Sequence, residues 1–321
     1  MDAPRPARNG SEDDLLELVQ RVRRELAARD ESPTGAWVDQ TVRDLRSGAK
    51  AGWFYPSSTG GGLAFRSDRG PEAFAHVHVE PAAGAVERAV HLTDTLQHEL
   101  PESVRSLSVG FTGLSREEET TLADRLGRRP GSKLIPRLEM ERTLGREDEP
   151  ALPAAPDGLA LVPVRDVTID ALADLDWRSF RGTADELLIG TDPAEYRRIL
   201  LALLAGDMGR FLDEASVALY RSEPPALVGS LLTCERSVRR AVFLDFMITP
   251  ELRRRGYGRY LLRWGLRALR ALGYERVGLW VSASNEAARR LYDRSGFAAT
   301  RTALIYRWDR AAAESQPHSA A

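Results

Sequence analysis

The chain has 321 residues, long enough for two domains of ordinary size, each with its own buried core. Its 45 basic and 47 acidic residues give a formal net charge of -2, so no global field draws it to nucleic acid or to an anionic membrane, and any phosphate recognition must be local. The single cysteine, Cys234, excludes an intramolecular disulfide framework and a cysteine-rich zinc site; with a polar N-terminus and no apolar stretch of membrane-spanning length, a cytoplasmic protein is the expectation.

Residues 1–13 are polar, contain Pro4 and Pro6, and are expected to be flexible. Helices are predicted over 14–28 and 36–47, a hairpin over 53–65 around a Ser-Thr-Gly-Gly-Gly run, and a strand at 74–79. A helix over 86–100, a strand at 104–109, a helix at 116–126 and strands near 134–144 follow. His76 and His78 alternate along one strand, but no third ligand lies nearby in the sequence; an exposed strand face is the expectation, and no metal. Residues 145–157 hold three prolines and an acidic cluster, a composition that resists helix and strand and suits a linker.

Beyond the linker the order starts with a strand at 159–164, helices at 167–180 and 193–204, and strands at 216–221, 227–234 and 240–248, the last two forming a hairpin. A helix over 257–272 is indicated because Leu261, Leu262, Gly265, Leu266, Leu269 and Leu272 share one face while its arginines mostly take the other. A strand at 277–281, a helix at 286–294 and a closing strand pair over 297–308 complete an α/β (α+β) order: a mixed, mostly antiparallel sheet flanked by helices. Residues 310–321 have nothing to bury and are expected to be flexible.

Two segments carry chemistry. In MITPELRRRGYG (247–258) an apolar strand ends at Pro250 and an Arg/Gly loop runs straight into an amphipathic helix. Gly256 and Gly258 allow a turn whose amides point inward, and the helix N-terminus adds unpaired N–H donors, so the loop can hold a phosphate; a plain strand-to-helix connection with solvated arginines explains the same residues. In LWVSASNEAARRLYDRSGF (279–297), Asn285 reads as a helix N-cap and Gly296 as its stop, with Tyr292 a hydroxylated side chain beside core-facing Ala288 and Leu291. Asp245 interrupts the strand AVFLDFMI, where burial beside Phe243 and Met247 would raise its pKa; a carboxylate paired with an arginine is the competing explanation.

Together these segments resemble the GCN5-related N-acetyltransferase (GNAT) superfamily. Its diphosphate-binding pattern is matched by Arg253, Gly256 and Gly258 after Pro250, and its later pattern by Val281, Asn285, Ala288, Leu291, Tyr292, Gly296 and Phe297. The likeness covers about half the chain, residues 159–308. It implies an acetyl-coenzyme A co-substrate whose diphosphate is cradled by the amides of Arg254, Arg255, Gly256, Tyr257, Gly258 and Arg259. Met247 and Ile248 would pair with the pantetheine amides, and Asn285 would touch the same arm. Tyr292 would protonate the departing thiolate, and Asp245 would be the general base, with Glu235 in reserve.

The first half repeats the order. Val79-Glu80-Pro81 faces Ile248-Thr249-Pro250, and Gly127 faces Gly296, both at an offset of 169 residues. At that offset Arg253, Gly256 and Gly258 face Gly84, Glu87 and Ala89, and Tyr292 faces Ala123, so the first copy lacks the phosphate loop and the acid. The expectation is a degenerate domain over 14–144 and a catalytic one over 158–309, a layout similar to that of the mycothiol synthases and of various antibiotic and amine acetyltransferases. The reaction expected is direct transfer of an acyl group to a primary amine of a small molecule by a monomer or homodimer, with neither nucleic acid nor membrane as partner. A non-catalytic acyl-coenzyme A-binding module and a transferase acting on a protein or peptide amine are the alternatives. Trp177, Phe180 and residues 181–186 would line the acceptor pocket, with Arg181, Asp185 and Glu186 able to recognise charge.

Overall fold

In the computed structural model, which describes residues 3–28, 35–145, 158–183, 185–189, 192–206 and 208–315, two units divide the chain without following its order: Met1–Pro136 with Ala303–Ala321, and Arg137–Thr302. The first unit runs β1 (Arg5–Pro6), α1 (Glu12–Ala28), α2 (Gly35–Ser47), β2 (Ala51–Tyr55), β3 (Gly62–Arg69), β4 (Glu72–Val79), α3 (Ala85–His98), β5 (Ser106–Thr112), α4 (Arg116–Gly127) and the start of β6 (Ser132–Thr143). The second takes the rest of β6, then β7 (Leu159–Pro163), α5 (Ile169–Phe180), α6 (Glu186–Ile189), α7 (Pro193–Ala205), β8 (Val217–Arg221), β9 (Ala226–Ser237) and β10 (Arg240–Ile248). It continues with α8 (Tyr257–Ala271), β11 (Arg276–Ser282), α9 (Glu286–Arg294) and the first residues of β12 (Ala298–Asp309), which ends in the first unit before α10 (Arg310–Ser315).

Both units have the same strand plan. In the second unit β7, β8, β9 and β10 are antiparallel in sequence order, and β10 then pairs in parallel with β11. In the first, β1, β2, β3 and β4 are antiparallel and β4 pairs in parallel with β5. Strand β4 ends at Val79 and β10 at Ile248, 169 residues on, so the repeat seen as matched landmarks is a repeat of strand order.

The closing strands correct the expected partition. Residues 303–309 lie in one long strand rather than a strand pair, and Ile305 to Asp309 of β12 pair antiparallel with β5 in the first unit. Residues 137–143, from the first half of the chain, pair antiparallel with β11 in the second unit. Each half therefore lends the other its last strand, and boundaries at 144 and 158 cut across both units; residues 146–157 of the expected linker lie outside the described residues. Local pattern marks a strand but not the edge it will join, since every sheet edge offers the same row of N–H and C=O groups.

The chain ends also differ from expectation. Arg5 and Pro6, within the segment expected to be flexible, pair with Phe54 and Trp53, and Ala7 is buried behind them. Residues 310–315 of the expected flexible tail form α10, held by the Arg310 N–H to the Arg105 carbonyl; 316–321 are outside the described residues.

In the second unit helices cover both sheet faces. On one, α5 and α7 bury Leu172, Leu175, Tyr196, Leu200 and Leu203 against β9 and β10. On the other, α8 buries Leu261, Leu262, Leu266 and Leu269 against Leu231, Phe243 and Val277. Gly265 lets α8 lie flat on the sheet, because a Cβ there would come within 2.3 Å of Leu231 Cδ2. Side-chain caps start three of these helices, with Thr168, Asp192 and Asn285 accepting the N–H of Ala171, Ala194 and Ala288. Among the described residues no helix is long and apolar enough to cross a membrane.

Candidate active site

The loop from β10 into α8 is built as an anion cradle. Arg254 at φ 65 and Gly256 at φ 87 turn the chain through left-handed conformations, and α8 begins immediately after. The backbone N–H groups of residues 254–259 have no acceptor among the described residues, whereas Leu252 and Arg253 close the preceding turn onto Thr249 and Pro250. Arg253 is a clasp: its guanidinium donates to the Ile248 carbonyl at 3.1 Å and to the Ser179 carbonyl at the end of α5. Burial lowers its pKa, with Glu251 opposing. Arg254, Arg255 and Arg259 are exposed and Tyr257 and Gly258 half-buried, with Gly258 facing Leu291.

Ahead of this loop the sheet opens. Strands β10 and β11 pair only from Arg240 with Arg276 to Phe243 with Leu279, leaving Met247 and Ile248 without a partner on that side. A bulge in the pairing of β10 with β9 falls between Phe243 and Asp245, the irregularity that re-aims a strand side chain. Asp245 is therefore brought to the point of parting, buried, on the face covered by α5.

Five further side chains gather there. Asp176 on α5 is hydrogen-bonded to Asp245; it is 2% exposed, and its Oδ1 has no partner. Burial pushes the Asp245 carboxyl up to about 7, against hydrogen bonds from Asp176 and the Phe246 N–H, while Asp185 adds to the rise. Asp176 is raised well above the ordinary carboxylate range, first by burial and then by Asp245. Asp185 pairs with Arg137 of β6 and accepts from Ser282 Oγ at 2.8 Å. Tyr292 is buried against Phe246 and Phe297, with ring centroids 6.2 and 5.9 Å away. Burial raises its phenol, Asp185 and Asp245 raise it further, and Arg137 opposes them.

The fold brings together some of the expected site residues and leaves others apart. Tyr292, Asp245, Asn285 and the loop residues fall in one region of the second unit, and Asn285 caps α9 through its side chain. Glu235 does not join them: it is held below the usual carboxylate range by the Tyr274 hydroxyl, at 2.6 Å, and by Arg210. Among the described residues of 181–186 Asp185 is the buried one, while Arg181 lies over Trp177 and Glu186 accepts the Gly182 N–H. Asp176 and Arg137 were not anticipated. Asp176 had a signal, since it shares a helix face with the buried Leu172 and Ser179, where a carboxylate is out of place. Arg137 had none.

The first unit lacks both features. Strands β4 and β5 stay paired from Glu72 with Ser106 to His78 with Thr112, so its sheet does not open. In its loop the carbonyls of Glu80 and Ala83 turn inward onto the Arg88 guanidinium at 3.1 and 2.9 Å, a cation-holding polarity opposite to that of residues 254–259. The histidines expected on an exposed strand face are not exposed: His78 is buried, and both rings hydrogen-bond Thr112 Oγ1, His76 at 2.8 Å and His78 at 3.1 Å. Thr112 belongs to the parallel neighbour β5, and the Phe65 ring of β3 stacks on His76.

Residues 169–297 match the Acetyltransferase (GNAT) family. A mycothiol acetyltransferase from Propionibacterium freudenreichii subsp. shermanii is 29% identical over 188 residues, 58% of this chain and 56% of that protein, so the match spans little more than half of the relative. A GCN5-related N-acetyltransferase from Sphaerobacter thermophilus superposes with a TM-score of 0.61 at 18% identity, covering 96% of this chain and 95% of that one. A tandem GNAT protein from the clavulanic acid biosynthesis pathway gives a TM-score of 0.59 at 16% identity over 96% and 98% of the two chains. These two likenesses establish a tandem GNAT fold over the whole chain.

Proposed function

We propose that the second unit, whose residues 169–297 belong to the acetyltransferase (GNAT) family, transfers an acyl group from acetyl-coenzyme A to the primary amine of a small molecule. The observation that carries this reading is the opening of β10 from β11 beside Asp245, directly ahead of a loop with six unsatisfied amides. A diphosphate suits those amides and the N-terminus of α8, and an extended pantetheine arm suits the unpaired edge at Met247 and Ile248, with Asn285 beside it. The relative named as a mycothiol acetyltransferase supports a small-molecule acceptor.

In this reading Asp245 takes a proton from the acceptor ammonium, and the freed amine attacks the thioester carbonyl carbon. The C–N bond forms and the C–S bond breaks. The Tyr292 hydroxyl gives its proton to the departing sulfur and recovers one from the nitrogen as the amide forms; the proton on Asp245 returns to solvent. A buried phenol with a raised pKa remains protonated until the thiolate develops, which suits an acid rather than a base.

The test is release of free thiol from acetyl-coenzyme A against a panel of amines, amino sugars and peptides. Turnover with a small amine is expected. Coenzyme binding without turnover across the panel would instead indicate a binding module. Tyr292→Phe keeps the ring packing on Phe246 and Phe297, so it is expected to slow turnover about 10²-fold with coenzyme affinity nearly unchanged; full activity would remove the acid role.

A further inference from the structure

Among the described residues the buried aspartates are Asp176, Asp185 and Asp245, and only Asp185 has a cation, Arg137. Asp176 lies against Asp245 with no arginine or lysine on it, and one of its oxygens has no partner at all. Two ionised carboxylates in contact in an apolar layer would each lack compensation, and such a pair retains a proton.

The surroundings decide which carboxyl keeps it. Helix α5 packs on α7, β9 and β10, which present Tyr196, Cys234 and Asp245 to it; burial pushes the Cys234 thiol up to about 12, so it carries no charge. The neighbouring cations are engaged elsewhere, Arg178 on Asp174, Arg253 on the Ser179 carbonyl, Arg181 over Trp177 and Arg137 on Asp185. Asp245 accepts the Phe246 N–H, which favours its charged form, and lies where the strands part; Asp176 has neither advantage.

We propose that Asp176 is a neutral carboxylic acid that donates its hydrogen to the Asp245 carboxylate, a positioning residue that holds the base ionised and aimed at the parting of the strands. The inference rests on the reading of Asp245 as the base. Without the donor, burial alone would hold Asp245 protonated to higher pH and leave it unable to accept a proton from the ammonium. In this arrangement the pair carries one negative charge at the working site, which suits an acceptor that arrives as a cation.

The test needs neither coenzyme nor acceptor, so it fails independently of the acyl-transfer reading. Infrared difference spectra of the full chain carrying ¹³C-carboxyl aspartate are recorded across the Asp245 titration. A protonated-carboxyl band is expected to survive about one pH unit above that midpoint, to vanish in Asp176→Asn and to persist in Asp245→Asn. A wild-type band that disappears with the Asp245 titration, or one that survives in Asp176→Asn, overturns the proposal, and the wild-type measurement stands even if a variant fails to fold. With an acceptor from the panel, Asp176→Asn keeps an N–H donor and is expected to leave the acid limb of kcat/KM in place, whereas Asp176→Leu moves it up by about one unit. An acid limb moved down by Asn would mean a charged Asp176, contrary to the proposal.

Discussion

Gly256 turns into α8 at φ 87, and a Cβ built there would meet nothing within 4 Å beyond its chain neighbours, so space does not explain a glycine. Two different costs can therefore be separated. Gly256→Ala adds only left-handed strain of about 1–2 kcal/mol to the fold, and coenzyme affinity should change little. Gly256→Asp adds a carboxylate to the amide cradle, and like charges about 4 Å apart at a protein surface repel by about 4 kcal/mol, so affinity should fall at least ~10²-fold; calorimetry on both variants checks the contrast, and equal affinities would remove the loop assignment. Asp245 gives the pH dependence. A base works only when ionised, so kcat/KM should rise with pH through about 7 and level above it. The linkage has the opposite sign: a carboxyl raised from 3.8 to about 7 binds protons more tightly folded than unfolded. Its contribution to stability thus falls as pH rises between those values, and Asp245→Asn should lessen the decline of thermal stability over that window, the remainder coming from Asp176, whose raised carboxyl acts with the same sign. Tyr292, Asp245 and the glycines were legible because each breaks a local pattern: a hydroxyl beside core leucines, a charge inside a strand, glycines at a helix start. Asp176 is legible by the same rule, a charge on the helix face that carries Leu172 and Ser179, but beside Trp177 and the charged residues 181–186 it does not stand out.

Helices were read to within a few residues because a 3.6-residue apolar repeat, closed by Thr168, Asp192 or Asn285 at one end and Gly206 at another, is written locally. The four-residue α6 was not anticipated, being too short to show a period. Strand partners are written elsewhere. Residues 137–143 carry Glu139 and Glu141, which on their own read as an exposed polar edge; beside β11 they become the anionic half of a buried network. Glu139 binds the Arg240 guanidinium at 2.9 Å and Arg301 at 3.1 Å, and Glu141 takes Arg240 Nε at 2.7 Å. Arg240 and Glu139 are almost wholly buried, so removing Glu139 leaves the Arg240 charge balanced only in part, by Glu141. Glu139→Ala should cost about 3 kcal/mol in denaturant unfolding, more than an exposed pair such as Arg290 with Glu286, whose loss should cost below about 0.5 kcal/mol. Equal small effects at both pairs would show that the arriving strand is held by main-chain bonds alone. The same strand brings Arg137 to Asp185, so an element from the half without a phosphate loop supplies a charge beside Tyr292.

A duplicated chain could divide into two self-sufficient copies, and the 169-residue offset alone suggests that it does. The closing strands say otherwise: the first unit takes 303–309 and the second takes 137–143. The copies have also diverged in opposite directions from one plan. In the first, β4 and β5 stay zipped and Arg88 fills the turn with its own cation; in the second, the sheet opens and the loop amides have no acceptor among the described residues. Loss of the anion cradle in one copy is tolerable if that copy is kept for the strand it lends. Expression of the halves as separate chains, residues 1–145 and 158–321, tests this. The first would leave the β5 edge unpaired and the second the β11 edge, each a template for aggregation, and the second would also leave Arg240 without Glu139. Each half alone is expected to be insoluble or to melt without cooperativity, while co-expression restores a soluble complex with the full chain's circular dichroism spectrum. A second half that folds alone, melts as the intact chain does and binds coenzyme equally well would show that the exchanged strands are dispensable, and that the first copy must be kept for some other reason.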